Sequence, residues 1–195
     1  MNYAQLSDYE LVRRFVEGNE YSIEVLINRH KSKVYTYILM LVKNQALAED
    51  IFQETFLKVV RSLRDNRYKD DGRFVGWVMR IAHNLVIDHF RRQKNMRYVT
   101  SNNENSDIFS YLKLSDSNIE DKYVSDQTRK KVRELINHLP DEQKEVVIMR
   151  HYMDLSFKEI AEITNVSINT ALGRMRYALI NMRKMIETNS IQMSC

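Results

Sequence analysis

The feature that most restricts this chain is a punctuated helical pattern over residues 155–184. Ser156 stands three residues before Glu159, a spacing that lets hydroxyl and carboxylate each satisfy a free amide at a helix start. A first helix therefore begins near Ser156 and turns Ile160, Ala161 and Ile163 inward. Thr164, Asn165 and Val166 supply a turn, and Ser167 is a good N-cap for a second helix. That second helix runs well past Leu179, with Ile168, Ala171, Leu172, Met175, Ala178, Leu179 and Met182 at the three-and-four spacing that faces a core. Left on its outer stripe are Asn169, Thr170, Gly173, Arg174 and Tyr177, with Arg176, Arg183 and Lys184 nearby. Cap, turn and length together predict a helix-turn-helix rather than a plain helical hairpin with a solvated face. Asn and Arg bond bidentately to adenine and guanine edges in a major groove, and flanking cations neutralise phosphates, so the stripe reads as a DNA-contacting surface. Gly173 costs its helix roughly 1 kcal/mol against Ala, and its missing side chain permits close backbone approach.

The rest of the chain is as poor in breakers. One Pro and four Gly among 195 residues, at Gly18, Gly72, Gly76 and Gly173, predict an all-α fold and exclude a glycine-rich phosphate loop. At this length, with a long polar stretch in the middle, the expectation is two small helical domains rather than one. The formal charge of +4 points mildly to a polyanionic partner, because 26 acidic residues offset 30 basic ones. The single cysteine, Cys195, excludes an intramolecular disulfide and a cysteine-built zinc site. The first residues carry no charged-then-apolar signal pattern, and no stretch approaches the roughly 18 to 20 apolar residues that cross a bilayer. A cytoplasmic location without membrane insertion is expected.

In the first half, Ser7 and Glu10 form another capping box, opening a short helix through Leu11, Val12, Phe15 and Val16 that Gly18 stops. A second helix spans Glu20 to about Val42, with Ile23, Leu26, Ile27, Val34, Tyr37, Ile38 and Leu41 inward. A third begins near Asn44 and buries Ala48, Ile51, Phe52, Thr55, Phe56 and Val59. Asp50, Gln53 and Glu54 share its opposite face, a surface suited to docking a basic partner through charge-assisted bonds. The same stripe could be a solvated helix face. No His, Cys or Ser stands at a companion spacing, so paired-carboxylate catalysis does not follow.

After a polar break over 65–72 comes a long basic helix over 73–92. Phe74, Trp77, Val78, Ile81 and Leu85 fall on its inner face. Arg80, His83, Asn84, Ile87 and Arg91 fall on another, extended by Arg92, Lys94 and Arg97, and cations interleaved with aromatics suit unstacked bases as well as phosphates. Trp77, spaced with Phe74 and Ile81, is assigned to packing. His83 and His89 lie on different sides of the helix, so no metal site is expected.

Taken in order, these blocks resemble the bacterial RNA polymerase sigma factors of the extracytoplasmic-function (ECF) group, small two-domain promoter-recognition subunits. The stretch 48–58 resembles the family's core-polymerase-binding helix, which assigns Asp50, Gln53 and Glu54 to that contact. Phe74, Trp77, residues 80–84, Asp88, Arg91 and Arg92 resemble the helix that recognises and melts the minus-ten element. The resemblance implies DNA contacts by Arg80, His83, Asn84, Arg91 and Arg92, and a pocket for a flipped base from residues 66–73 and Asn84. Residues 139–152 resemble the opening of the C-terminal sigma domain, with Pro140 at a helix start. The helix-turn-helix beyond it resembles the reader of the minus-thirty-five element, implying contacts by Asn169, Thr170, Gly173, Arg174, Arg176 and Tyr177. One local departure is that many members carry basic residues where Leu172 and Tyr177 stand here.

The implied architecture is an N-terminal sigma domain over 1–97, a flexible linker over 98–125, a winged-helix-like helix-turn-helix domain over 126–188, and a disordered tail over 189–195. The linker reading also follows from the Asn, Ser and Asp content around residues 101–107. Core RNA polymerase and promoter DNA are the implied partners, an anti-sigma factor is a further one the family admits, and no cofactor or enzymatic activity is expected. A stand-alone helix-turn-helix regulator would bind duplex tightly without polymerase, and a metal-dependent nuclease would cleave DNA.

Overall fold

The computed structural model describes residues 3–69, 72–96 and 131–188, with the backbone alone for 94–96. The expected linker and tail lie outside these residues. Every regular element among the described residues is helical. The chain divides into two compact units, Met1–Ser106 and Asp107–Cys195.

The first unit holds a short 3-10 turn, Tyr3–Gln5, and four helices: α1 (Asp8–Val16), α2 (Glu20–Val42), α3 (Gln45–Arg64) and α4 (Phe74–Met96). Its helix starts are fixed by local chemistry. Glu10 N donates to Ser7 Oγ at 3.2 Å while Ser7 N donates to Glu10 Oε2 at 2.8 Å, the expected box. Asn19 caps α2 by accepting from Ser22 N, and Asn44 caps α3 by accepting from Leu47 N. Gly18, at φ 102, turns the chain between α1 and α2 in a conformation that favours glycine. Leu11, Leu26, Val34, Tyr37, Ile38, Val59 and Val78 make the centre of the core.

Two buried faces differ from those expected. On α2, Leu39 and Met40 are buried and Leu41 is only half-buried. On α4, the buried residues are Phe74, Gly76, Val78, Met79, Ala82, His83, Leu85 and Val86, while Trp77 and Ile81 are half-buried. The cause is that α4 packs on both α2 and α3, so its buried stripe is wider than one seam and is turned toward Met79 and Val86. A polar clamp closes the N-terminal end: Arg29 donates to Asp8 at 2.6 Å and to the carbonyls of Ala4 and Leu6 at 3.1 and 2.8 Å. His30 Nε2 lies 2.9 Å from Asp8, and its ring sits 5.7 Å from that of Phe74 at the start of α4.

The second unit contains α5, helical over 131–137, then α6 (Asp141–His151), α7 (Phe157–Thr164) and α8 (Ile168–Thr188). Ser156 and Glu159 form the expected capping box, with Glu159 N donating to Ser156 Oγ and Ser156 N to Glu159 Oε2. Asn165 ends α7 in the left-handed region at φ 54, a conformation Asn tolerates. Ser167 Oγ then accepts from Thr170 N at 3.0 Å and caps α8. Ile136, Val146, Ile148, Met149, Ile160 and Ile163 fill the core, and Lys144 is buried with its Nζ donating to Asn137 at 3.0 Å. The ladder expected to anchor α8 is only partly inward. Ala171 and Ala178 are buried, whereas Ile168, Leu172 and Leu179 are exposed. Small residues at the seam leave the flanking larger side chains on the rim.

Candidate nucleic-acid and polymerase-docking surfaces

On α3 the two sides separate cleanly. Ala48, Ile51, Thr55, Phe56 and Val59 are buried, Phe52, expected among them, is only half-buried, and the Thr55 hydroxyl is satisfied by the Ile51 carbonyl at 2.7 Å. Asp50, Gln53 and Glu54 are exposed. Glu54 pairs with Lys58 at 3.2 Å, an exposed contact worth little in stability. Leu57 shares this face by helical spacing with Gln53 and Glu54, and it is 57 % exposed. It escaped the sequence reading because a lone apolar residue carries no periodic signal.

Arg80, Asn84, Arg91 and Arg92 are exposed on α4, and Arg91 lies 3.4 Å from Asp88. Ile87 and Phe90 are exposed apolar residues on the same helix, which leaves cationic and aromatic groups interleaved at the surface. His83 does not join them. It is buried, with Nδ1 3.1 Å from the Tyr37 hydroxyl of α2. The expectation that placed it beside Arg80 on an outer face is corrected here, because the Tyr37 hydroxyl inside the core needs a partner and His83 supplies one. Trp77 packs against Tyr68 at 4.4 Å between ring centroids and against Phe74 at 5.9 Å, in keeping with a packing role. The expected base pocket over 66–73 includes residues 70 and 71, which lie outside the described residues, as do the side chain of Lys94 and all of Arg97.

In the second unit, Asn169, Thr170, Arg176 and Tyr177 are exposed along α8, with Arg183 and Lys184 further on. A Cβ added at Gly173 would have nothing within 4 Å, so no internal contact demands glycine there. Gly173 lines an open cleft of about 650 Å³ between the start of α6 and the outer stripe of α8, together with Glu142, Thr170, Arg174 and Tyr177. Arg174 is not a solvated cation. Its Nη2 lies 3.0 Å from Glu142 Oε2, and its side chain is 20 % exposed against 72 % for that of Glu142. Leu172 lines a second, smaller groove with Phe157, Met175, Arg176 and Leu179.

The polar face on α3, the basic helix α4 and the helix-turn-helix follow one another in the chain in the order of a known family. Residues 26–96 match the family model for Sigma-70 region 2, and residues 129–176 match that for Sigma-70, region 4. The chain belongs to the ECF group of bacterial RNA polymerase sigma factors. This sigma factor is 29 % identical over 192 residues to the ECF RNA polymerase sigma-E factor of Haemophilus influenzae, covering 96 % of this chain and 97 % of that protein. It is 26 % identical over 178 residues to the ECF sigma factor SigW of Bacillus subtilis, covering 90 % and 94 %. Its fold resembles that of CnrH, solved in complex with the cytosolic domain of CnrY, with TM-score 0.64, 17 % identity and coverage of 93 % and 97 %. The sigma factor RpoE of Bartonella quintana, solved with the anti-sigma factor NepR, gives TM-score 0.64 at 14 % identity, with 85 % and 96 % covered. The two-domain helical expectation and the family assignment are thus both met, and the sigma factor serves promoter-specific transcription initiation. Among the described residues no helix is long and apolar enough to cross a membrane, and no group of three or more His, Cys, Asp or Glu could hold a metal ion.

Proposed function

We propose that this sigma factor docks on core RNA polymerase through the α3 face of Asp50, Gln53 and Glu54, with Leu57 as its apolar contact. Residues 1–97 then read the minus-ten element and help to open the duplex through Arg80, Asn84, Arg91 and Arg92 of α4. His83 acts on DNA only through the shape of α4. Residues 126–188 read the minus-thirty-five element through Asn169, Thr170, Gly173, Arg174, Arg176 and Tyr177, and residues 98–125 tether the two readers. The protein performs no covalent chemistry; binding free energy offsets the few kcal/mol that base extrusion costs. The likeness to the sigma factor RpoE, solved in complex with the anti-sigma factor NepR, supports an anti-sigma factor as a third class of partner.

The observation that carries this reading is the α3 face: acids and an amide left exposed on a helix whose opposite side is largely committed to the core. Such a face contributes little to folding and is available to a cationic partner. The test is to change Asp50, Gln53 and Glu54 together to Ala and measure co-purification with core polymerase, with helical content as the control. The expected result is loss of assembly with circular dichroism unchanged, and loss of transcripts from a promoter library that the unmodified protein activates. Normal assembly by the triple variant would exclude this docking surface.

A further inference from the structure

Arg174 and Glu142 meet across two helices, and the pairing bears on how the upstream element is read. We infer that Glu142 is a specificity-determining residue, holding Arg174 toward base edges and away from phosphates; this rests on the proposed reading of α8.

The guanidinium lies 3.0 Å from the Glu142 carboxylate, at the edge of the cleft beside Gly173 and Tyr177. Glu142 occupies the first turn of α6, where the helix dipole favours a carboxylate. The α6 helix is itself fastened to α8 by the 2.8 Å hydrogen bond from Asn181 to Gln143. The anion is therefore carried by a fixed element. Arginine has large rotamer freedom, and a side chain only 20 % exposed has already surrendered much of it. An ion pair whose acid is 72 % exposed contributes little to stability, so its consequence lies in what Arg174 can do.

An uncommitted arginine beside DNA is drawn first to phosphates, an attraction that carries no sequence information. A carboxylate against one side of the guanidinium weakens that pull. It leaves other N–H donors for neutral acceptors such as guanine O6 and N7, where geometry decides the bond. Discrimination thus rises while sequence-independent affinity falls, because specificity is a difference between affinities and the weakened phosphate contact is common to all sequences.

The experiment uses the full chain assembled with core RNA polymerase, binding promoter duplexes in which each base pair of the upstream element is varied, over a series of salt concentrations. The variants are Glu142→Gln, Arg174→Ala and the two together. Arg174→Ala is expected to reduce preference at one or two positions by roughly five- to hundredfold. Glu142→Gln is expected to tighten binding to mismatched duplexes by roughly two- to fivefold, the scale of an exposed ion pair, while cognate binding barely changes. Its salt dependence steepens by about one phosphate contact. In the Arg174→Ala background, Glu142→Gln should alter neither preference nor salt slope.

Equal tightening on every duplex would overturn the inference, since Glu142 would then be a general repeller. So would an effect of Glu142→Gln that persists without Arg174. If Arg174→Ala shifts preference and Glu142→Gln does not, Glu142 is excluded while the α8 reading stands. If Arg174→Ala leaves every preference intact although the holoenzyme still initiates, base reading by Arg174 falls and this inference falls with it.

Discussion

Asp8 closes the N-terminal end of the first unit by accepting from Arg29 and meeting His30. Burial raises its carboxyl pKa, but the bond and charge of His30 and then those of Arg29 outweigh that effect and hold it below the ordinary 3.8. A carboxylate whose pKa is depressed on folding contributes stability above its unfolded value and loses it as pH falls through the folded one. Asp8→Asn should therefore cost about 1 to 2 kcal/mol near neutral pH, the scale of a charge-assisted bond. The difference from the unmodified chain should shrink once the pH drops below about 3.8 and vanish in more acid solution. Urea unfolding at a series of pH values measures it; a constant difference down to strong acid would show that Asp8 acts through packing alone. Residues of this kind mark the limit of sequence reading. The capping of α1 by Ser7 was legible because donor and acceptor are three residues apart, whereas the Arg29 clamp, the Tyr37–His83 pair and the Glu142–Arg174 pair join distant positions. His83 in particular sits next to Asn84 in a basic run, and only the neighbouring helix decides that one points in and the other out.

At the scale of elements, α8 shows how far periodicity reaches. Its existence, its start at Ser167 and the turn before it followed from caps and breakers, which are local chemistry. Its buried face did not, because seven apolar positions offered more stripe than the seam with α6 and α7 could take. Alanines at 171 and 178 won the seam, since they allow the closest approach, and Ile168, Leu172 and Leu179 were left on the rim. The same geometry explains Gly173. An added Cβ would meet nothing within 4 Å, so Gly173→Ala should stabilise the second unit, by up to about 1 kcal/mol from helix propensity. If α8 approaches DNA closely at this point, the methyl group meets the duplex instead, and binding to an upstream element should weaken although the fold is firmer. Thermal unfolding and duplex binding, measured on the one variant, separate the two effects. A gain in stability with unchanged affinity would place Gly173 away from the interface.

For the whole molecule, the proposed function turns on how two modest readers would become one promoter-selective device. Once either unit is engaged on polymerase and DNA, the other searches at an effective concentration set by the chain that joins them, and no new contact is needed for the affinities to combine. The acidic, Asn- and Ser-rich segment over 98–125 supplies that chain in the proposed function. If it serves as a tether alone, doubling its length with Gly and Ser residues lowers the effective concentration by about threefold, equivalent to about 0.6 kcal/mol. Initiation at promoters that need both elements should fall by the same factor. Promoters that depend on the minus-ten element alone should be unaffected, because the first unit and its proposed α3 docking face are untouched. Abortive-transcript yield at subsaturating holoenzyme on the two promoter types gives the comparison. A collapse well beyond threefold, or an equal loss on both promoter types, would mean that the acidic residues of this segment engage the polymerase themselves, and that their charge matters as well as their length.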